Sequence, residues 1–290
     1  MAITFVSAGT TSNSTTTVAP GLPAGVADGD QMVYVLEWRS TASAPAAPSG
    51  WTLATEAQTT HGAEAADTGT AAVAVYLREF VTGDAAPTIS VTGRNGGRAD
   101  ILAYHRSAGT GWDVASATGT DSTPDTSHSA VAGSDPGGAG GDWLLVFSGT
   151  NGDTVGTTRT SITATWTGCT LGTVTTQTPP TGTTTSGNDL LTTFEDVPVN
   201  SGTSSAAPTL TWTWSGSTTA DHPATAVIYL RLREQVTAAA AAAGPWQAPA
   251  PGRRGPSGLA VAWGGVPADV PTPPSSTRAP TFPSQYGGYY

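Results

Sequence analysis

Glu37, in YVLEWRS, and Glu79, in YLREFVT, are the carboxylates of this 290-residue chain best suited to acid–base chemistry, since each lies on a strand-like stretch beside aromatic residues. Two carboxylates a few ångströms apart can cleave a glycosidic bond, and β-sandwiches host such enzymes. The simpler reading makes each a rim carboxylate or the partner of Arg39 or Arg78, and surface pairs of that kind contribute little. His61, His105, His128 and His222 form no HExxH or His-x-His arrangement, so zinc has little support. There is no GxSxG elbow, and without a single Lys a phosphate loop ending in Gly-Lys is impossible. Asp28 and Asp30, in ADGDQ, resemble part of a calcium loop whose other ligands are missing. They read instead as shaping the turn before a strand, as Asp142 does in GGDWL. Cys169 is the only cysteine, which excludes an intrachain disulfide, and it reads as a buried, inert thiol. The chain therefore reads as a non-enzyme without metal or cofactor.

The elements that carry these residues are strands. Apolar and polar residues alternate near 3–8, 15–19, 31–39, 52–58, 71–80, 87–92 and 99–106, and again near 112–118, 127–132, 143–149, 160–166, 170–177, 188–197, 207–215 and 224–234. Between them lie Gly, Pro and Ser clusters, and no amphipathic helix interrupts the series. The expected fold is all-β, an antiparallel, jelly-roll-like β-sandwich.

That series is written twice. DGDQMVYVLE is echoed by GGDWLLVFSG at an offset of 112 residues (Asp30 to Asp142), and SGWTLAT by TGCTLGT at 118 (Trp51 to Cys169). AAPTISVTG is echoed by AAPTLTWTW at 121, and ADILAYHR by ATAVIYLR at 125 if Tyr104 is set against Tyr229. Four echoes in one order, with a growing offset, point to an internal repeat with longer loops in its second copy. Residues 1–108 are read as the first β-sandwich repeat and 109–234 as the second, closely packed on it. In the strands that follow AAPT, Ile89 and Val91 match Leu210 and Trp212 on the core face, with Thr and Ser outward. Trp214 extends that row.

After Glu234 the composition turns to Ala, Pro and Gly, and residues 235–290 are read as an extended arm with no core of its own. Residues 1–234 carry 20 acids and 8 Arg, a net charge of −12, whereas the arm carries three Arg against one Asp, a net of +2. Trp246, Arg253, Arg254, Trp263, Phe282, Tyr286, Tyr289 and Tyr290 are of the types that anchor interfaces, which makes them the candidate docking residues. Trp38, Trp51, Trp112, Trp143 and Trp166 belong to the body, where an exposed row would suggest stacking on sugars and a buried one a core. The formal net charge of −10 argues against a nucleic-acid partner. No window reaches the roughly 18 consecutive apolar residues of a membrane span.

PAGVADGDQMVYVLEW, APSGWTLATEA, VYLREFVTGDAAPTISVTG and ILAYHRS together resemble the β-rich minor tail proteins of tailed phages infecting actinobacteria. The resemblance rests on a turn at Pro23 to Asp30, another at Pro48 to Trp51 and a third at Gly83 to Pro87, and it covers about residues 1–234. The second copy departs from it, with Cys169 in place of the Trp and a longer last turn in PVNSGTSSAAPT. It implies a non-enzymatic virion component, homo-oligomeric in the assembly, with tail or capsid subunits as partners. A capsid decoration protein and a module binding host surface glycans are the alternatives, and a secreted hydrolase ranks below both. MAITFVSAG lacks the basic stretch and apolar core of a signal peptide, so synthesis in a host cytoplasm and release by lysis are expected, leaderless secretion being the other route.

Overall fold

Branched and aromatic residues at every second position favour extended backbone, because they fit the pleated surface on which cross-strand neighbours meet. The computed structural model describes residues 3–59, 70–107, 111–123, 127–152, 158–177, 182–183, 189–215 and 224–235. Among them every element is a strand and every ladder is antiparallel. The first half contributes β1 (Thr4–Ala8), β2 (Ser12–Ser14), β3 (Thr17–Val18), β4 (Gln31–Trp38), β5 (Thr52–Gln58), β6 (Ala72–Glu79), β7 (Ile89–Ser90) and β8 (Gly97–His105). The second contributes β9 (Gly111–Asp121), β10 (Ser127–Val131), β11 (Trp143–Gly152), β12 (Thr158–Thr165) and β13 (Cys169–Leu171). It continues with β14 (Thr175–Gln177), β15 (Gly182–Thr183), β16 (Asp189–Gly202), β17 (Thr209–Ser215) and β18 (Thr225–Gln235). Each strand expected from the alternation overlaps one of these. The alternation missed the short β2 and β15 and the full length of β9 and β16.

The large sheet of the first half runs β1-β8-β4-β6-β5, and that of the second runs β9-β18-β11-β16-β13. Strand for strand the two orders coincide, and each half adds a small sheet, β3-β7 in the first and β10-β17-β12 in the second. Gln31 faces Tyr104 across β4 and β8, as Trp143 faces Leu232 across β11 and β18. With Gln31 set against Trp143, the ladders set Tyr104 against Leu232 and Ile101 against Tyr229, an offset of 128 where the sequence echo has 125.

Four layers result. One apolar cluster, with Val33, Val35, Leu102 and Tyr104 against Leu145, Phe147, Leu230 and Leu232, lies between the two large sheets. A second, with Met32, Tyr34, Leu36, Trp38, Ile89 and Val91, lies under the first small sheet. A third, with Leu144, Val146, Tyr229, Leu210 and Trp212, lies under the other. Both large sheets are thus covered on both faces, which is why all eight residues of QMVYVLEW are buried. The small sheets keep one face in water: Ile89, Val91, Leu210 and Trp212 are buried, while Ser90 and Thr211 are exposed. Full burial of a side chain the size of Trp212 stabilises by about 2–3 kcal/mol.

Where the large sheets meet, β5 lies on β9 and β18, β6 on β18 and β11, and β4 on β11 and β16. Exchanging each strand for its counterpart turns β6 on β11 into β16 on β4 and leaves β4 on β11 unchanged. Around β4 and β11 the two large sheets therefore face one another about a local near-twofold axis, as in an isologous interface, whereas β5 on β9 and β18 and β6 on β18 have no counterpart contact of similar extent. Met1–Ala240 is one compact unit, and Ala241–Tyr290 lies outside the described residues.

Candidate functional site

The turns that precede β4 and β11 are built alike. Gly29 and Gly141 hold positive φ angles of 87° and 94°, which suit glycine. The following Asp accepts a backbone hydrogen bond three residues back, from Ala27 at 2.8 Å in one case and from Ala139 at 2.7 Å in the other. His105 Nδ1 lies 2.6 Å from Asp30 Oδ1, and at the corresponding place Arg233 donates to both oxygens of Asp142 at 2.8 and 2.7 Å. A buried carboxylate under a half-exposed imidazole could orient a general base. Its twin carries an Arg, which at neutral pH cannot take up a proton, so the shared role is to lock the turn. Asp28 accepts from the Thr82 backbone at 2.6 Å and from its hydroxyl at 2.7 Å, again fixing a loop.

The turns at Pro48 to Trp51 and Gly83 to Pro87 converge on a recess of about 310 Å³ lined by Pro48, Ser49, Trp51, Arg78, Asp84 and Pro87, among others. Arg78 Nε donates to Asp84 Oδ2 at 2.7 Å, a second guanidinium N–H reaches Asp84 Oδ1, and Nη1 reaches the Ser49 carbonyl at 3.3 Å. The hydrogen bond from Arg78 holds the Asp84 carboxyl below the usual range and raises the guanidinium. Gly50, at φ 79°, passes so near that a Cβ there would sit 1.5 Å from Arg78 Nη1. The recess thus presents prolines and the edge of Trp51, with its two charges spent on each other. It suits apolar contact with a chain or ring better than proton transfer.

The residues singled out for chemistry are not brought together. Glu37 stands six residues along β4 from Gln31, the residue opposite Glu79, so the two carboxylates lie about 20 Å apart. A retaining or inverting glycosidase needs roughly 5–10 Å. The reading of Glu37 as a rim residue does not hold: it is fully buried and accepts from the Thr150 backbone N–H at 2.5 Å. Glu79 is exposed and pairs with Arg106 at 3.2 Å. Cys169 is half-buried rather than buried, and burial raises its thiol pKa, which suppresses thiolate. Trp38, Trp51, Trp112, Trp166 and Trp212 are buried and Trp143 half-buried, so among the described residues no Trp side chain forms an exposed sugar platform. His128 stacks on Trp212 at 4.9 Å between ring centres. His61, His222, the side chain of Trp214 and the docking candidates Trp246, Arg253, Arg254, Trp263, Phe282, Tyr286, Tyr289 and Tyr290 lie outside what is described. No three His, Cys, Asp or Glu side chains among the described residues are grouped as a metal site, and no helix there is long and apolar enough to cross a membrane.

What sequence reasoning missed is a set of charges between the large sheets. Arg98 and Asp100 point into that layer with Leu102 and Tyr104, two positions apart along β8. Arg98 Nε lies 3.5 Å from Asp100 Oδ2, and Thr11 donates to Asp100 Oδ1 at 2.5 Å. Burial raises the Asp100 pKa, with Arg98 opposing it. From the other side Tyr104 donates to Asp196 Oδ2 at 3.2 Å. The signal was present in RADILAYH, where Arg and Asp occupy the phase of the core-facing residues. No protein family, curated protein or solved structure matches the chain.

Proposed function

We propose that this chain is a non-enzymatic structural component of a bacteriophage virion, a minor tail protein built from two β-sandwich repeats. Its C-terminal arm, residues 235–290, docks on neighbouring virion subunits. The observation that carries the reading is the double coverage of both large sheets: the body spends its apolar residues and the Glu37 carboxylate on internal packing. The coincident strand orders favour duplication of one sandwich. The turns at Asp30, at Trp51 and at Asp84 are those on which the resemblance to phage tail proteins rests, and all three are held by specific bonds. The acidic body and the weakly basic, aromatic-bearing arm suit an assembly in which arm and body of different subunits attract.

Imaging particles that carry a labelled copy of the chain tests the location. Label on the tail or its tip is the expected result; label on the shell replaces the tail reading with capsid decoration, and absence from particles ends both. Deleting residues 235–290 is expected to leave a folded β protein that no longer enters particles. Normal incorporation of the truncated chain would refute docking by the arm. Saccharide-dependent quenching of Trp fluorescence would instead favour glycan recognition.

A further inference from the structure

Glu37 and Gly149 are counterparts, each seven residues after the Asp of its Gly–Asp turn. They are also neighbours in space: a Cβ placed on Gly149 would lie 3.1 Å from Glu37 Cγ, 3.2 Å from Oε1 and 3.3 Å from Cδ. Counterparts meet each other only on a twofold axis, and β4 on β11 is the strand pair that the near-twofold leaves unchanged. A glycine inside a strand has no side chain to pack and often marks a close approach from another element. Here the element is the Glu37 side chain, fully buried and bonded to the Thr150 N–H at 2.5 Å.

We propose that Glu37 and Gly149 form a selector on this axis that admits a carboxylate from one half only, so that a first half closes on a second half and not on the first half of another copy. Two first halves brought together in the same way would place two Glu37 carboxylates in one buried spot, where both cannot stay ionised and both cannot fit. Two second halves would leave Gly149 facing Gly149 over a void, which costs packing. The unlike pair alone fills the space with a single carboxylate beside Arg98, the cross-strand neighbour of Glu37. This device chooses partners by penalising the wrong ones. It rests on the duplication within the proposed function and is independent of where on a particle the chain sits.

The test is a cycle on the full chain, read by thermal unfolding. Gly149→Glu is expected to lower Tm by about 10 °C or more at neutral pH, since it buries a second carboxylate. Gly149→Gln keeps the volume and omits the charge; it should lose less, and the gap should narrow on acidification as one carboxyl protonates. The reciprocal variant, Glu37→Gly with Gly149→Glu, returns a single carboxylate to the axis from the opposite strand. It is expected to recover more than half of the Tm lost by Gly149→Glu. If Gly149→Glu does not fold, a soluble, cooperatively unfolding reciprocal variant carries the same meaning. Three results would each overturn the proposal: a reciprocal variant no better than Gly149→Glu, equal losses for Gln and Glu at every pH, or no loss for Gly149→Glu. The location of the chain on particles would be unaffected by any of them, so this failure and that of the virion reading are separable.

Discussion

The central faces of the two halves follow the same strand plan but carry different chemistry. Where the first half places Glu37, Arg98 and Asp100, the second places Gly149, Ala226 and Ile228. Where the first has Leu77 and Tyr104, the second has Asp196 and Leu232. Leu77 and Leu232 therefore join the apolar cluster at one side of the axis, while Tyr104 and Asp196 share a hydrogen bond at the other. An isologous interface repeats each contact, so a charge buried on the axis would be met by its own copy and one buried off the axis would be buried twice. Here the two faces differ, with Glu37, Arg98 and Asp100 on the first half and Asp196 on the second. The difference teaches that these charges fix which face meets which, while the aliphatic and aromatic residues common to both faces hold them together.

The largest effect is expected at Arg98. Its guanidinium is fully buried, and none of its N–H groups meets a hydrogen-bond acceptor among the described residues, which leaves the ion pair with Asp100 as its main compensation. Replacing it by Met strands the carboxylate of Asp100 in the layer and is expected to cost about 3 kcal/mol or more at neutral pH, measured by urea unfolding. Arg98→Ala with Asp100→Ile copies the second half's residues into the first and should recover at least half of that loss, because the Asp100 carboxylate is then no longer left without its partner. A double variant as unstable as the single would mean that volume, not charge, decides the site.

A smaller effect should separate the twin turns. Asp142→Asn loses a bidentate Arg contact and is expected to cost about 2–3 kcal/mol, while Asp30→Asn, whose partner is the half-exposed His105, should cost about 1–2 kcal/mol. Unfolding midpoints of the two variants give the comparison directly, and equal losses would show that the backbone bonds to Ala27 and Ala139, common to both, carry the turns.

The strands were legible because period-two alternation is a local property, and the Gly–Asp turns because Gly at positive φ before Asp leaves a short signature. The four-layer stacking was not legible: alternation tells which face is apolar, but a strand such as QMVYVLEW, apolar on both faces, does not say what covers each one. Glu37 drew notice for its type, yet its meaning depends on Gly149, 112 residues away, and on an axis that only the packed sheets define. Tyr104 was set against Tyr229 because identical letters attract each other, whereas Tyr104 faces Gln31 and Leu232 faces Trp143 in their ladders, and Tyr229 turns to the other face, where its hydroxyl donates to the Ala130 carbonyl at 2.5 Å.

The smallest effect, and the one with a distinct pH signature, belongs to Tyr104 and Asp196. Burial raises the pKa of Asp196, with the Tyr104 hydrogen bond opposing the rise. A carboxyl with a raised folded-state pKa keeps its proton where the unfolded chain has lost it. Its stabilisation is complete below the unfolded value near 4 and disappears as pH rises through the folded value. Asp100 and Glu195, also raised by burial, act in the same direction. Asp84 acts in the opposite one: its pKa is lowered, so its share is present above the ordinary carboxylate range and lost on acidification. Tyr104→Phe removes a donor that favours ionised Asp196; it should cost about 1 kcal/mol at neutral pH and extend the descending limb of stability to higher pH. Tyr104→Phe with Asp196→Leu makes this side of the axis as apolar as the side of Leu77 and Leu232. That variant should come within about 1 kcal/mol of the parent or exceed it, with a shallower decline between pH 4 and 7. A decline unchanged in slope would assign the pH dependence to Asp100 and Glu195 and leave the bond between Tyr104 and Asp196 a matter of geometry alone.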